Sequence, residues 1–177
     1  MIKNCVYFCE GPCEEALIKA LQKAPSLIAA GRPRPFNVIQ NVIPNSVLLQ
    51  IKQGTTVVFV FDTDKEITDK LQKSIEQVKK HCPQSKIVFL IQVKNLEDEL
   101  VRSTDVKKVT ELTQSQSVSN FKTAFCKMKD LRELLERHQI DVSKLWATNP
   151  PEVFAFVPQN SELIKLKVKN CMRDTTR

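Results

Sequence analysis

The chain has 177 residues, 42% of them hydrophobic, which predicts one domain with its own core. Its formal net charge of +7 at pH 7 favours a polyanionic partner. No apolar run approaches the length of a membrane span, and the N-terminus lacks the features of a signal peptide, so we expect a cytoplasmic protein with no membrane partner. Six scattered cysteines are too sparse for a disulfide scaffold, and buried thiols are favoured over a zinc site.

Strand and helix patterns alternate along the first part of the chain. In chain order they predict a strand over 3–9, a helix over 14–23, a loop over 25–35, a strand over 36–42, a short helix over 45–51, a strand over 55–61, a helix over 68–82 and a strand over 86–93. Such alternation predicts an α/β fold, an open sheet of about four mainly parallel strands with helices on both faces.

Beyond residue 104 the pattern becomes mostly helical. Ser119 is the predicted cap of a helix that carries Phe121 and Phe125, and a second helix is predicted over 130–138. The apolar segment 153–157 adds buried surface and is a candidate fifth strand. We therefore predict an α/β core over 1–104 and a C-terminal extension over 105–177 that packs on it, within one structural domain.

Acidic residues follow two of the predicted strands. Asp62 and Asp64 come directly after the third strand, and Glu10 follows the first. If the strand order is second, first, third, fourth, the first and third strands are neighbours and these acids converge where ligands bind in open α/β sheets. Carboxylates suit Mg²⁺, which takes one or two of them together with substrate phosphates, although Asp is also common in turns.

Three more acids follow the fourth strand. Asn95 is a good cap for a helix whose first turn carries Glu97, Asp98 and Glu99. The helix dipole alone explains acids at this position. The alternative is that Glu97, or Glu99, points into the same cleft as Asp62 and binds metal.

These motifs together resemble a TOPRIM domain, in the style of small TOPRIM-like proteins related to OLD-family nucleases and bacterial defence proteins. In that family a Glu-Gly pair ends the first strand, as Glu10-Gly11 does here, and an acid follows at the position of Glu14. An Asp-x-Asp motif ends the third strand, as Asp62 and Asp64 do. The matching motifs lie between residues 9 and 100.

The resemblance implies a nuclease that uses Mg²⁺ or Mn²⁺. Asp62 and Asp64 would hold the metal ion, Glu10 would act as general acid or base or as a further ligand, and Glu97 or Glu99 would hold a second ion. The supporting residues would be Gly11, Glu14 and Lys65. An ATPase subunit is an expected type of protein partner in OLD-like systems, and a homodimer remains open.

Other chemistries fit the sequence less well. A topoisomerase needs a tyrosine nucleophile, but the single tyrosine, Tyr7, lies inside the first strand, and a primase would be expected to carry a zinc ribbon. A phosphatase of the haloacid dehalogenase type would use Asp62 as nucleophile, but its usual Gly-Thr continuation is missing. A non-catalytic module that keeps the fold and a basic surface stays open.

The basic residues mark two candidate surfaces for nucleic acid. Arg32 and Arg34 lie in the predicted Pro-rich loop, and Lys165, Lys167 and Lys169 belong to a basic tail. Both groups are able to follow a phosphate backbone, and solvated surface charge explains them equally well.

Overall fold

The fold is an α/β sheet with helices on both faces, as the sequence predicts. The computed structural model describes residues 4–66 and 68–166. Its four strands are all parallel, in the order β2-β1-β3-β4. Their bounds are β1 (Cys5–Cys9), β2 (Gly31–Pro35), β3 (Thr56–Asp62) and β4 (Ile87–Gln92). The first and third strands are therefore neighbours, and the strand order reverses between them.

Seven α-helices lie in the described part of the chain. They are α1 (Pro12–Gln22), α2 (Asn45–Leu48), α3 (Asp69–His81), α4 (Leu96–Ser103), α5 (Val109–Leu112), α6 (Val118–Lys127) and α7 (Leu131–Arg137). The cap of α6 is Ser117, two residues before the predicted Ser119, and Asn95 caps α4 as predicted, since its side chain accepts a hydrogen bond from Asp98 N. Among these helices none has the length and apolar content to cross a bilayer.

Each face of the sheet builds its own hydrophobic core because side chains alternate along a strand. On one face, Val58 and Val60 of β3 pack with apolar residues of α1, α4, α5, α6 and α7. On the other, Phe59 and Phe61 pack with α2, α3 and Phe154. The C-terminal extension thus contributes side chains to both cores.

The position of β2 differs from the prediction. The strand is Gly31–Pro35, within the segment predicted as loop, and the predicted strand over 36–42 is an irregular segment that buries Val38 and Ile39. Because β2 is an edge strand, its prolines need no partner on the open side. The two prolines of this segment therefore did not exclude a strand, although they had indicated a loop.

The predicted fifth strand is also wrong. The chain here forms a 3-10 helix (Glu152–Phe154) followed by a turn over 155–157, and this segment buries Phe154 and Val157, three residues apart. The open edge of β4 is instead covered by the side chain of Asn160, which accepts from Phe89 N at 2.8 Å and donates to Ile87 O at 3.0 Å. One amide side chain thereby replaces part of a neighbouring strand.

The five cysteines in the described residues are free, and three of them are buried. Tyr7 is fully buried, and its hydroxyl donates to Ala29 O. Its position confirms that this tyrosine belongs to the core.

Candidate acidic site at the carboxyl ends of the strands

Glu10 and Asp62 meet at the point where the strand order reverses. Glu10 Oε2 accepts a hydrogen bond from Asp62 N at 3.2 Å, because Glu10 follows β1 and Asp62 ends the adjacent β3. Glu10 Oε1 accepts from Asn37 Nδ2 at 2.6 Å. The Glu10 carboxylate is therefore fixed from two sides, and the two acids converge as predicted.

Gly11 and Glu14 extend the acidic group onto α1. Glu14 lies one turn before Leu17 on the stripe that faces the sheet, and only 7% of it is exposed. A Cβ atom at Gly11 would lie 3.2 Å from Glu14 Oε2, so a glycine here leaves room for that carboxylate. Burial, followed by the neighbouring charges of Glu10 and Glu97, raises the pKa of Glu14.

Asp62 brings a buried, unpartnered oxygen into this acidic group. Its Oδ1 atom is buried and has no hydrogen-bond partner. Burial, the largest cause, raises the pKa of Asp62 to about 9, and the second cause is the negative charge of its acidic neighbours, Glu10, Glu14, Asp64 and Glu97. Without a cation, the folded protein therefore favours the protonated form of Asp62 at neutral pH.

An open pocket of about 360 Å³ lies beside these acids. Its polar lining comes from the end of β3, the start of α4 and one residue of α6: Asp62, Asp64, Asn95, Glu97, Asp98 and Lys122. Lys122 Nζ lies 2.8 Å from Glu97 Oε1, and this hydrogen bond raises the pKa of Lys122. Of the acids in the first turn of α4, Glu97 therefore lines the pocket, whereas Glu99 does not.

Glu99 corrects the expectation that it binds a metal ion in this cleft. Its side chain is fully buried, and its oxygens accept hydrogen bonds from Arg102 Nη2 and from Trp146 N. Glu99 therefore joins α4 to the C-terminal extension. Lys65, predicted to support the site, is exposed in the turn after β3.

Lys122 is the site residue that sequence reasoning missed. It lies 58 positions beyond Asp64, on an amphipathic helix of the extension, where a lysine is ordinarily solvated. The structure places it opposite Glu97 because α6 packs on α1 and α5. The sequence offered no signal for this position.

The donor atoms of the site fit a hard divalent cation. Within residues 4–66 and 68–166, no three His, Cys, Asp or Glu side chains already form a metal-binding arrangement. The fit depends instead on the carboxylate oxygens at the pocket and on the buried, unpartnered Asp62 Oδ1. Such a group of acids suits Mg²⁺ or Mn²⁺, which keep several waters and need few protein ligands.

The basic residues are placed unequally. Arg32 and Arg34 line a second pocket of about 550 Å³ on the β2 side of the sheet, and Arg34 donates to Gln50 Oε1. Lys165, in contrast, has a side chain that is only 7% exposed and that contacts Glu162 and Ser143 O. Lys165 therefore does not belong to an exposed basic surface. Lys167 and Lys169 lie outside the described residues.

Comparison with protein-family models, curated proteins and solved structures gives no match. The geometry of the strand ends and the chemistry of their side chains are therefore the basis for a functional proposal.

Proposed function

We propose that the protein is a metal-dependent hydrolase of phosphodiester bonds in nucleic acid, a nuclease of the TOPRIM type that uses Mg²⁺ or Mn²⁺. The observation that carries this proposal is the Asp62 carboxylate, which lies at the pocket next to Glu10 and three further carboxylates and has a buried oxygen without a hydrogen-bond partner. Like charges this close disfavour ionisation of Asp62, and a divalent cation would remove that penalty.

The acids have separate roles in the proposed reaction. Asp62 and Asp64 would hold the metal ion at the pocket. When bound, the ion would neutralise charge at phosphorus and lower the pKa of a water molecule. Glu10, which Asn37 and Asp62 N hold in place, would accept a proton from an attacking water.

Lys122 would contact the substrate. Lys122 lines the same pocket as Asp62 and Asp64. Its ammonium group has three N–H donors, one of which is directed to Glu97. The remaining donors are available to a non-bridging phosphate oxygen. Glu97 then orients Lys122 in addition to contributing negative charge at the pocket.

A polyanionic substrate agrees with the charge of the chain. The net charge is +7, although the site itself is acidic. Arg32 and Arg34 line the pocket beside β2, the strand next to β1, so they are placed to contact phosphates that flank the reacting one. The TOPRIM-like motifs support the same class of substrate.

Cleavage assays test this proposal directly. Single- and double-stranded DNA and RNA are incubated with the protein and Mg²⁺, Mn²⁺ or EDTA, and products are separated on gels. We expect cleavage only with a divalent ion and a loss of more than about 100-fold in Asp62→Asn, above the range for residues outside the metal's ligand set. The control is Asp130→Asn, an exposed aspartate at the start of α7.

Two outcomes would contradict the proposal. One is the absence of cleavage of every substrate by the wild-type chain with either ion. The other is cleavage by Asp62→Asn at the wild-type rate. Salt-sensitive nucleic-acid binding that survives removal of Glu10, Asp62 and Asp64, without cleavage, would instead indicate a non-catalytic binding module.

A further inference from the structure

Gln92 is a fully buried amide that has no hydrogen-bond partner. It is the last residue of β4, its exposure is 0%, and neither Oε1 nor Nε2 has a partner. Buried polar atoms without a hydrogen-bond partner are rare in folded proteins, so two in one side chain at an otherwise apolar strand position are unusual. The other residues of β4 are apolar, which makes the amide conspicuous.

The position of Gln92 places it beside Asp62. The two residues are register partners at the ends of the parallel strands β3 and β4. Their side chains point to the same face, because Val58 and Val60 precede Asp62, and Val88 and Leu90 precede Gln92, on the face covered by α1, α4 and α6. Neighbouring strands lie about 4.8 Å apart, so rotation of one side chain brings the two groups into hydrogen-bond range.

The two unpartnered groups are also chemically complementary. Asp62 Oδ1 is a buried acceptor without a donor, and Gln92 Nε2 is a buried donor without an acceptor. On the other side of β3, the neighbouring side chain is Cys9 of β1, which is the register partner of Val60. Its thiol is only a weak donor, and it already points to Tyr7 O.

We propose that Gln92 is a positioning residue for Asp62, in which Nε2 donates a hydrogen bond to Asp62 Oδ1 when Asp62 holds a divalent cation. This inference rests on the proposed metal site. The hydrogen bond would fix the plane of the carboxylate and leave Oδ2 available to the ion. Carboxylates that bind metal ions are themselves commonly held by such outer hydrogen bonds.

A substitution that keeps the volume tests the role of the amide. In Gln92→Met, calorimetric titration with Mn²⁺ should show affinity 10- to 100-fold below wild type, the usual effect of losing an outer hydrogen bond. The melting temperature of the metal-free protein should stay equal or rise, because an unsatisfied amide has been replaced by an apolar group. A merely structural role predicts the reverse pattern, with lower stability and unchanged affinity.

Gln77→Met is the matched control. Gln77 lies on α3, on the opposite face of the sheet, and its Oε1 is also buried without a partner. Mn²⁺ affinity should therefore be unchanged in this variant. Equal Mn²⁺ affinity in wild type and Gln92→Met would overturn the inference, and failure of the wild type to bind Mn²⁺ would overturn both it and the metal site.

A measurement on the unaltered side chain covers the case in which Gln92→Met does not fold. The side-chain amide signals of Gln92 in ¹⁵N–¹H spectra should shift on addition of Mg²⁺, and their exchange with solvent should slow. The same signals should not respond in Asp62→Asn. Signals that ignore Mg²⁺ in a wild-type protein that binds the ion would contradict the proposed hydrogen bond.

Discussion

Asp62 is the residue at which local chemistry and stability conflict. It ends an apolar strand, so its carboxylate enters a partly buried position, and four other acids face it. Each of these factors favours the protonated form. Such a residue destabilises the metal-free protein at high pH, and the conflict is the physical reason to expect a bound cation.

Replacement of Asp62 by asparagine should stabilise the metal-free protein in a pH-dependent manner. The folded-state pKa of about 9 lies above the unfolded value, so the contribution of Asp62 is most favourable below about pH 4 and is lost as the pH rises to about 9. Because the group is only half-buried, we expect a gain of about 1–2 kcal/mol at pH 9, or about 2–8 °C in melting temperature, and little gain at pH 5.

Thermal melts in EDTA between pH 5 and pH 9 measure this effect. The difference between Asp62→Asn and wild type should grow with pH, while Asp130→Asn should show a constant difference. A difference that does not change with pH, or that favours the wild type at pH 9, would show that Asp62 ionises normally.

The sequence could predict that Glu10, Asp62 and Asp64 come together, since residues that follow adjacent parallel strands share one edge of the sheet. The helical phase of Glu99 also carried a signal, because Glu99 shares the buried stripe of α4 with Leu96, Leu100 and Ser103. Its partner Trp146 could not be predicted, because that contact depends on how the extension packs. Lys122 was also out of reach, since its place depends on how the extension packs.

At the scale of elements, the edge strand β2 positions the residue that orients Glu10. Its pairing with β1 holds the end of that strand, and the chain then continues to Asn37, whose amide orients Glu10. Gly31 starts β2 next to the core. A Cβ atom there would lie 2.4 Å from Cys5 O and 2.7 Å from Tyr7 Cε2.

Substitution of Gly31 by alanine should therefore separate β2 from β1. The clash involves backbone that cannot move without breaking the ladder, so we expect a loss of about 2–4 kcal/mol in the free energy of unfolding, measured by urea denaturation. Gly54→Ala is the control, because Gly54 has φ +77° but no atom within 4 Å of an added Cβ. That variant should lose only about 1–2 kcal/mol. Equal losses in both variants would contradict the proposed packing at Gly31.

The type of each element could be predicted where its apolar pattern was unambiguous. The prediction was wrong where tertiary packing, and not the local apolar pattern, determined the backbone conformation. The patterns that became β3, α3 and β4 were located to within one residue at each end. The segment over 36–42 was predicted as a strand from its apolar residues, but within it only Val38 and Ile39 are buried, and they cover the sheet from an irregular segment. Phe154 and Val157 likewise cover the sheet, from a 3-10 helix and from the turn that follows it.

At the scale of the whole molecule, the candidate site lies between the α/β core and the C-terminal extension. Asp62, Asp64 and Glu97 come from the core, whereas Val109, Val118 and Lys122 come from the extension. The extension therefore forms one wall of the pocket. The concentration of acids there contrasts with the net charge of +7 for the whole chain.

The most direct test of the central claim, that these acids form a divalent-cation site, is a calorimetric titration with Mn²⁺ at pH 8. We predict saturable binding by the wild-type chain and an affinity at least about tenfold lower in Asp62→Asn, because that variant removes a ligand and relieves the repulsion that favours the cation. Asp130→Asn should bind as the wild type does. Absence of Mn²⁺ binding by the wild-type chain, or equal affinity in Asp62→Asn, would contradict the claim.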